Sequence, residues 1–251
     1  AVYTNSDYAP YAVRRAAQEE QMLKARGIPF HTYKDNVIFE AHEVLKDDGK
    51  PYTVFSPYGR KWRARLQSRP ISATQDASLS FFLKSYPTER YFSNFAQLQS
   101  SPVPALDHLG FSRAGIPFPP AEIARGIIRN YDKTRDFPGI AGTSRLGIHF
   151  RFGTISIREK ARHAVKFNDT YLNELIWRDF YAMILANFPH VATKAFRPEY
   201  DNIPWRDDEE DFRRWCEGRT GYPLVDAGMR ELAATGYMHN RVRMITASFL
   251  T

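Results

Sequence analysis

Residues 1–39 carry a hydrophobic pattern whose period changes twice. A short apolar run in "AVYT" gives way to apolar positions at helical spacing in "YAVRRAAQEEQMLK", and a second apolar run follows Gly27. This pattern predicts a strand, an amphipathic helix and a second strand, which together form one unit of an α/β sheet. Because one unit cannot bury both faces of a sheet, we expect either further strands before it or a minimal layer.

A stretch rich in serine and proline separates this unit from the rest of the chain. Proline density rises between residues 56 and 120, with prolines at positions 102, 104, 117, 119 and 120. Proline lacks a backbone donor and stops helices, so this density is typical of connections. We therefore predict an interdomain connector over residues 56–120 that packs on the surface.

From Ala121 onward the apolar positions take a helical period, as in "YLNELIWRDFYAMILANF". The predicted helix boundaries carry capping and stop residues: a capping box at Ser156–Glu159, a stop near Pro189, an acidic start at Asp207 or Asp208 with a stop at Gly218, and a start at Pro223 with a stop at Gly236. The pattern as a whole predicts an α/β piece over residues 1–55 and an all-α piece over residues 121–251.

Composition narrows the class of protein. The chain has 251 residues, of which 43% are hydrophobic and 25% charged, as in soluble globular proteins. No apolar run reaches membrane-spanning length, and no signal peptide opens the sequence. Cys216 is the one cysteine, which excludes a disulfide framework within the chain and most cysteine-based zinc sites. We expect a reducing, intracellular setting and no metal site.

Charge and aromatic content leave two interpretations open. The formal net charge is +7, which favours a polyanionic partner such as nucleic acid but also occurs in proteins that are merely soluble. Aromatic residues make up 14% of the chain. With arginine they stack on planar rings, or they simply form a large aromatic core.

The segment "GTSRLGIHF" is the first candidate for chemistry. Gly142, Thr143 and Ser144 supply hydroxyls and backbone N–H groups at an expected helix start, where the helix dipole favours a phosphate. Arg145 adds a fixed positive charge. The alternative is an ordinary helix N-cap.

The segment "YLNELIWRDFY" is the second candidate. Glu174, Trp177, Arg178 and Tyr181 have i, i+3, i+4 and i+7 spacing and share one helix face. A carboxylate acceptor beside a stacking ring and a guanidinium suits the recognition of an extruded base. The alternative is an exposed amphipathic face with an Arg–Glu ion pair.

The third candidate lies in "TGYMHNRVRMITASFLT". Asn240, Arg243 and Met244 are spaced to face one way, whereas Arg241 points elsewhere. Asparagine has both a donor and an acceptor, so it satisfies a heteroaromatic ring nitrogen in either protonation state. The alternative is a basic, polar helix start.

Three long segments together resemble the DNA photolyase/cryptochrome flavoproteins, and most of all the microbial photolyases that repair cyclobutane pyrimidine dimers. They are "YDKTRDFPGIAGTSRLGIHFRFGTIS", "NELIWRDFY" and "WCEGRTGYPLVDAGMRELAATGYMHNRVRMITASFL". The resemblance implies a partial Rossmann-like N-terminal (antenna) domain followed by an all-α FAD-binding domain. It also implies an internal piece of a longer protein, FAD as cofactor, and a possible second antenna chromophore of unknown type.

The resemblance also implies roles for individual residues. The matching FAD contacts are Tyr131, Thr143, Ser144, Arg145, Leu146, Gly147, Tyr171, Arg178, Asn240 and Arg243. The matching DNA contacts are Arg135, Glu174, Trp177, Arg178, Asn240 and Arg241. Glu174, Trp177, Asn240 and Met244 match the catalytic neighbourhood, and Trp205 matches the surface end of a tryptophan electron-transfer chain. The chain departs from the family at Gly147, where serine is usual, and at Tyr171, where tryptophan is common.

The implied function is light-driven repair of cyclobutane pyrimidine dimers by electron transfer from reduced FAD. One alternative is a cryptochrome, a signalling flavoprotein without repair; another is a non-enzymatic nucleic-acid-binding domain, which leaves Glu174 unexplained. The expected partner is DNA containing pyrimidine dimers, with no membrane and a monomeric state. The expected location is the bacterial cytoplasm or another intracellular compartment.

Overall fold

The computed structural model describes residues 1–68, 81–83, 93 and 101–251. The described residues divide into two compact units, one within Ala1–Lys84 and Ala121–Arg206, the other within Ser85–Pro120 and Asp207–Thr251. Much of the predicted connector, at residues 69–80, 84–92 and 94–100, lies outside the described residues. The division into domains at residues 55 and 120 stays a prediction.

The first unit opens with the predicted strand–helix–strand motif. Strand β1 (Val2–Asn5) pairs in parallel with β2 (Phe30–Tyr33), and helix α1 (Pro10–Lys24) connects them. Helix α1 ends three residues before Gly27, which is the predicted stop. Tyr11 and Met22 on α1 remain largely exposed, as expected when a single unit covers one small sheet.

The predicted surface packing of the connector is wrong for residues 56–67, which contribute buried side chains to the core. Together with Phe55 they form helix α2 (Phe55–Gln67), which packs against the long helix described below. Tyr58, Trp62 and Leu66 are spaced at i, i+4 and i+8 and are buried. An apolar stripe at this spacing is a helical signal, and the nearby serine and proline residues obscured it.

The centre of the first unit is the long helix α7 (Asp169–Asn187). Four short helices precede it in the chain: α3 (Arg125–Arg129), α4 (Tyr131–Thr134), α5 (Gly147–Phe152) and α6 (Ile157–Phe167). Of these, α4 and α6 pack against α7. The predicted capping box is present, since the Ser156 hydroxyl accepts a hydrogen bond from the Glu159 N–H at 3.4 Å. Helix α7 ends at Asn187, close to the stop predicted near Pro189, and a 3₁₀ turn that begins at Pro189 follows it.

A fully buried carboxylate fastens α7 to the segments around it. Asp179 accepts hydrogen bonds from the backbone N–H groups of Ile38 (3.2 Å) and Phe39 (3.0 Å), and from Nε1 of Trp62 (2.9 Å). Burial raises the pKa of Asp179 to about 6, although these donors oppose that rise. Asp179 therefore joins α2 and the apolar run after β2 to the central helix.

The second unit contains helices α8 (Glu209–Cys216), α9 (Pro223–Thr235) and α10 (Asn240–Leu250). Asp208 caps α8 by accepting from the Asp211 N–H at 3.0 Å, and Gly236 ends α9 with a φ of +69°, both as predicted. Met229, Met238 and Val242 form the core between α9 and α10. In the described ranges, no helix of either unit is long and apolar enough to cross a membrane.

Candidate functional site

The loop at residues 142–146 precedes α5 but does not cap it. Helix α5 begins at Gly147, and its N-cap is Leu146, which makes no side-chain capping bond. The expectation of a helix start at Gly142–Ser144 was therefore wrong, because the chain stays irregular through Leu146. Arg145 is exposed and adopts a φ of +52°, a conformation uncommon outside glycine.

Gly142 is fixed by its close approach to α4. A Cβ atom there would lie 2.5 Å from Cβ of Thr134, closer than side chains tolerate. The Thr134 hydroxyl donates to the Gly142 carbonyl oxygen at 3.1 Å. The beginning of the loop is thus held against the end of α4, while its next residues, Thr143 and Ser144, remain partly exposed.

Three of the predicted FAD contacts of the first unit, Tyr131, Ser144 and Tyr171, form a connected cluster. The Tyr171 hydroxyl donates to Oγ of Ser144 at 3.2 Å, and the Tyr131 ring packs perpendicular to the Tyr171 ring with centroids 5.1 Å apart. Burial raises the pKa of Tyr171, so its hydroxyl keeps its proton and acts as a donor. The side chain of Leu146, in contrast, lies in the core, which leaves only its backbone for a ligand.

Arg135 and Glu174 form an ion pair beside this cluster. Nη1 of Arg135 lies 2.5 Å from Oε1 of Glu174, and the guanidinium carbon lies 5.5 Å from the Tyr131 ring centroid. Burial alone would lower the pKa of Arg135, but the Glu174 carboxylate outweighs burial and raises it. Glu174 thus pairs with Arg135, the C-cap residue of α4. The alternative interpretation supposed an ion pair with Arg178, one turn along the same helix.

Trp177 belongs to an aromatic stack. Its indole lies on the Phe55 ring, with centroids 3.5 Å apart and planes 4° apart. The Tyr181 ring is also stacked with the indole, at 5.5 Å and 24°, and is 62% exposed. Phe180 packs perpendicular to the indole at 5.7 Å. The indole is therefore held in one plane and remains partly exposed.

The guanidinium of Arg178 is held by backbone carbonyl oxygens of two other segments. It donates to the carbonyl oxygen of Asn36 and, at 3.1 Å, to that of Phe150. Burial lowers the pKa of Arg178, and Asp179 opposes that effect. All four residues lie on helix α7 with the predicted spacing, and the hydrogen bonds of Arg178 tie this helix to two backbone segments. Its predicted contacts with FAD and with DNA stay untested.

The second unit presents the remaining candidates on α10. Asn240, Arg243 and Met244 are all exposed and lie on one side of the helix, as predicted. Arg241 does not point elsewhere, since its Nη1 lies 3.7 Å from Sδ of Met244. The side chain of His239 caps the helix by accepting from the Arg241 N–H at 3.1 Å.

Trp205 lies in the first unit, after the 3₁₀ turn Pro198–Asn202. Its side chain is 56% exposed, and its backbone N–H donates to the Ile203 carbonyl oxygen at 2.9 Å. An exposed indole suits the surface end of an electron-transfer chain, and that role stays a prediction.

Sequence reasoning missed two residues that shape this region. Phe55 stacks on Trp177, and Asp179 fixes the helix that carries Phe55. A signal for Asp179 was present, because a lone carboxylate among the apolar positions of α7 requires buried donors. No local pattern indicated Phe55, since its partner lies on a different helix.

Two family models match the chain, and both describe photolyases. The model described as "DNA photolyase" matches residues 1–77. The model described as "FAD binding domain of DNA photolyase" matches residues 171–251. Residues 171–251 therefore belong to an FAD-binding domain of the photolyase type.

Individual proteins agree with these matches. A deoxyribodipyrimidine photo-lyase from Synechococcus sp. is 37% identical over 274 residues, a match that covers 100% of this chain and 55% of that relative. The crystal structure of a bacterial class III photolyase from Agrobacterium tumefaciens matches with a TM-score of 0.70 and 28% identity, over 99% of this chain and 54% of that one. An archaeal photolyase from Sulfolobus tokodaii, crystallised with two FAD molecules, matches with a TM-score of 0.66 and 30% identity, over 98% and 52%.

This chain thus spans about half the length of the curated relatives it matches, and the matches run along nearly all of it. Ser144 and Arg135 of "YDKTRDFPGIAGTSRLGIHF" contact Tyr171 and Glu174 on helix α7, respectively. The chain belongs to the DNA photolyase/cryptochrome family.

Proposed function

We propose that the protein containing this chain is a deoxyribodipyrimidine photo-lyase, a lyase that repairs cyclobutane pyrimidine dimers in DNA in light. Its relative from Synechococcus sp. carries that name and is 37% identical. This chain spans only 55% of that relative, so the activity of the whole protein is proposed and does not follow from the similarity alone. The observation that carries the proposal is the Arg135–Glu174 pair, which holds a carboxylate on the helix of a stacked, partly exposed tryptophan.

The residues of the loop before α5 fit the diphosphate of FAD. Thr143 and Ser144 offer hydroxyls at the surface, and Arg145 offers an exposed cation. At Gly147 a Cβ atom would meet no other atom within 4 Å, so the backbone there faces open space that a ligand oxygen would fill. The site therefore stays open at Gly147, although the serine hydroxyl that is usual in the family is absent there. Asn240 and Arg243, exposed on α10, are the proposed flavin contacts of the second unit.

The proposed substrate contacts are also chemically matched. Photolyases are a standard example of enzymes that extrude the target base from the duplex. Glu174 accepts hydrogen bonds from the extruded bases, and Trp177 packs against their apolar faces. Arg135 and Arg241 contact backbone phosphates, and the net charge of +7 favours that partner.

The protein orients the substrate, excludes water from it and supplies the surrounding charges. When bound and fully reduced, FAD supplies a light-driven electron that splits the cyclobutane ring and is then returned. Trp177 excludes water from the face of the pyrimidine dimer, and Glu174 orients the bases while Arg135 keeps its carboxylate in place. No side chain acts as a nucleophile.

The finer architecture is part of the same proposal. We assign residues 1–55 to a partial Rossmann-like antenna domain, residues 56–120 to a connector whose first part is the buried helix α2, and residues 121–251 to the all-α FAD-binding domain. A second chromophore of unknown type would bind in the antenna domain. The protein acts as a monomer inside the cell.

The test uses the intact protein. Its absorption spectrum is recorded for bound flavin, and the protein is then incubated with dimer-containing DNA in blue light and in darkness. Repair in light alone supports the proposal. Bound flavin without repair supports a cryptochrome, and the absence of both supports a nucleic-acid-binding domain.

A further inference from the structure

The plane of the Trp177 indole is set by a residue from another helix. Phe55 lies flat on the indole, with ring centroids 3.5 Å apart and planes 4° apart. Phe180 packs perpendicular to both rings, with its centroid 5.7 Å from each. A ring held by a partner on its face and a second at right angles has little freedom to rotate.

The helix that carries Phe55 is itself fastened to α7. Phe55 is the first residue of α2, and Trp62 on the same helix donates from Nε1 to the Asp179 carboxylate at 2.9 Å. Asp179 lies two residues after Trp177 on α7. The hydrogen bond and the ring stack therefore fix α2 against the same short stretch of α7.

We propose that Phe55 is a positioning residue for substrate recognition, which holds the Trp177 indole in the plane that packs against an extruded pyrimidine dimer. The inference rests on the proposed function. Phe55 lies in the segment that matches the "DNA photolyase" model, whereas Trp177 lies in the segment that matches the FAD-binding domain. The proposal therefore assigns a residue of the first segment to the substrate site of the second. A ring that is already oriented loses less entropy on binding than one that rotates, so Phe55 strengthens recognition without touching the substrate.

A double-mutant cycle separates this role from simple core packing. The intact protein binds, in darkness, a single-stranded oligonucleotide with one thymine dimer and its undamaged counterpart. The variants are Phe55→Leu, Phe55→Tyr, Trp177→Leu and the double variant Phe55→Leu/Trp177→Leu. Phe82→Leu is the matched control, because its ring packs perpendicular to that of Phe39 in the same core.

Phe55→Leu lowers the ratio of the affinities for damaged and undamaged DNA by roughly fivefold to tenfold, and Phe55→Tyr keeps the wild-type ratio. In the Trp177→Leu background the same change has less than about a twofold effect, because the ring that Phe55 orients is gone. Flavin absorption stays at the wild-type level in the single variants. Should Phe55→Leu fail to fold, Phe55→Met replaces it, since the flexible thioether fills the space without a flat ring.

Equal losses in both backgrounds, an unchanged preference in Phe55→Leu, or the same loss in Phe82→Leu would overturn the assignment of Phe55. Failure of the proposed function has a different signature, because the wild-type protein would then show neither a preference for damaged DNA nor repair in light. That result would remove the inference together with the function on which it rests.

Discussion

Nη1 of Arg135 lies 2.5 Å from Oε1 of Glu174, and both side chains are largely withdrawn from solvent. The pair joins the C-cap of α4 to the N-terminal half of α7 and lies beside the Tyr131 ring. It therefore connects the residues proposed to hold FAD with the residues proposed to meet the substrate.

The ion pair should show measurable coupling in stability. Either Arg135→Ala or Glu174→Ala leaves a partly buried charge without its partner, and we expect each to lower the free energy of unfolding by about 1–3 kcal/mol. The double variant should lose about 1 kcal/mol less than the sum of the two. Urea unfolding followed by circular dichroism measures all three.

The exposed Arg15–Glu19 pair on α1 is the matched control for that cycle. Its side chains are 52% and 46% exposed, and its closest atoms are 3.5 Å apart. Solvent screens such a pair, so its coupling should stay below about 0.5 kcal/mol. Equal coupling in the two pairs would contradict the view that Arg135 and Glu174 form a structured pair.

Asp179 should be among the most costly positions in the first unit. Asp179→Ala removes the acceptor of two buried backbone N–H groups and of the Trp62 indole N–H, and we expect a loss of roughly 3 kcal/mol or more. Asp169→Ala serves as the control, since its carboxylate is 77% exposed although it lies 2.5 Å from Arg63. That change should cost less than about 1 kcal/mol. Similar losses at the two positions would refute the anchoring role.

The pH dependence of stability should carry the signature of Asp179. Its pKa rises from 3.8 to about 6 in the folded protein because burial disfavours the charged form. The folded state therefore binds this proton more tightly than the unfolded state. The resulting stabilisation is complete below the unfolded pKa and is lost as pH rises through the folded pKa.

Asp179→Asn removes this titration and isolates its effect. The free energy of unfolding of the wild type, measured relative to Asp179→Asn, should fall by about 2–3 kcal/mol between roughly pH 4 and pH 7. Urea titrations at several pH values give this difference. A difference that stays constant or rises over the same range would show that the buried carboxylate is not the titrating group.

The loop before α5 offers a test that uses two glycines. Gly142→Ala places a Cβ atom 2.5 Å from that of Thr134, so the loop has to shift, and we expect a loss of about 1–3 kcal/mol with reduced flavin content. Gly139→Ala, three residues earlier, meets no atom within 4 Å and should leave both quantities unchanged. Flavin absorbance per protein and thermal unfolding are the measurements. Wild-type flavin content in Gly142→Ala would remove the loop from the proposed FAD site.

Local signals in the sequence predicted several helix boundaries. Ser156 and Asp208 cap the helices that they were predicted to start, and Gly236 ends α9, because capping depends on hydrogen bonds and dihedral angles within a few residues. The strand–helix–strand order near the start also followed from hydrophobic period alone. Such features need no knowledge of distant partners.

Contacts between distant residues were beyond the reach of the sequence patterns. Asp179 accepts a hydrogen bond from the N–H of Ile38, which lies 141 positions earlier in the sequence. No periodic pattern of residues identifies a partner at that separation. Arg178 was predicted from its place on a helix face, but the carbonyl oxygens it contacts lie in two other segments. Helix spacing fixes the direction of a side chain from its axis, whereas the packing of neighbouring segments decides what that side chain meets.

The central claim is that the α7 surface around Glu174 meets the damaged base in a flavin-bound site. The most direct measurement is light-driven repair of a thymine dimer by Glu174→Ala in the intact protein, expressed per bound flavin. We expect at least about a tenfold fall in repair with wild-type flavin content, since loss of a buried hydrogen bond to substrate costs about 1.5–3 kcal/mol. Wild-type repair by Glu174→Ala would contradict the account.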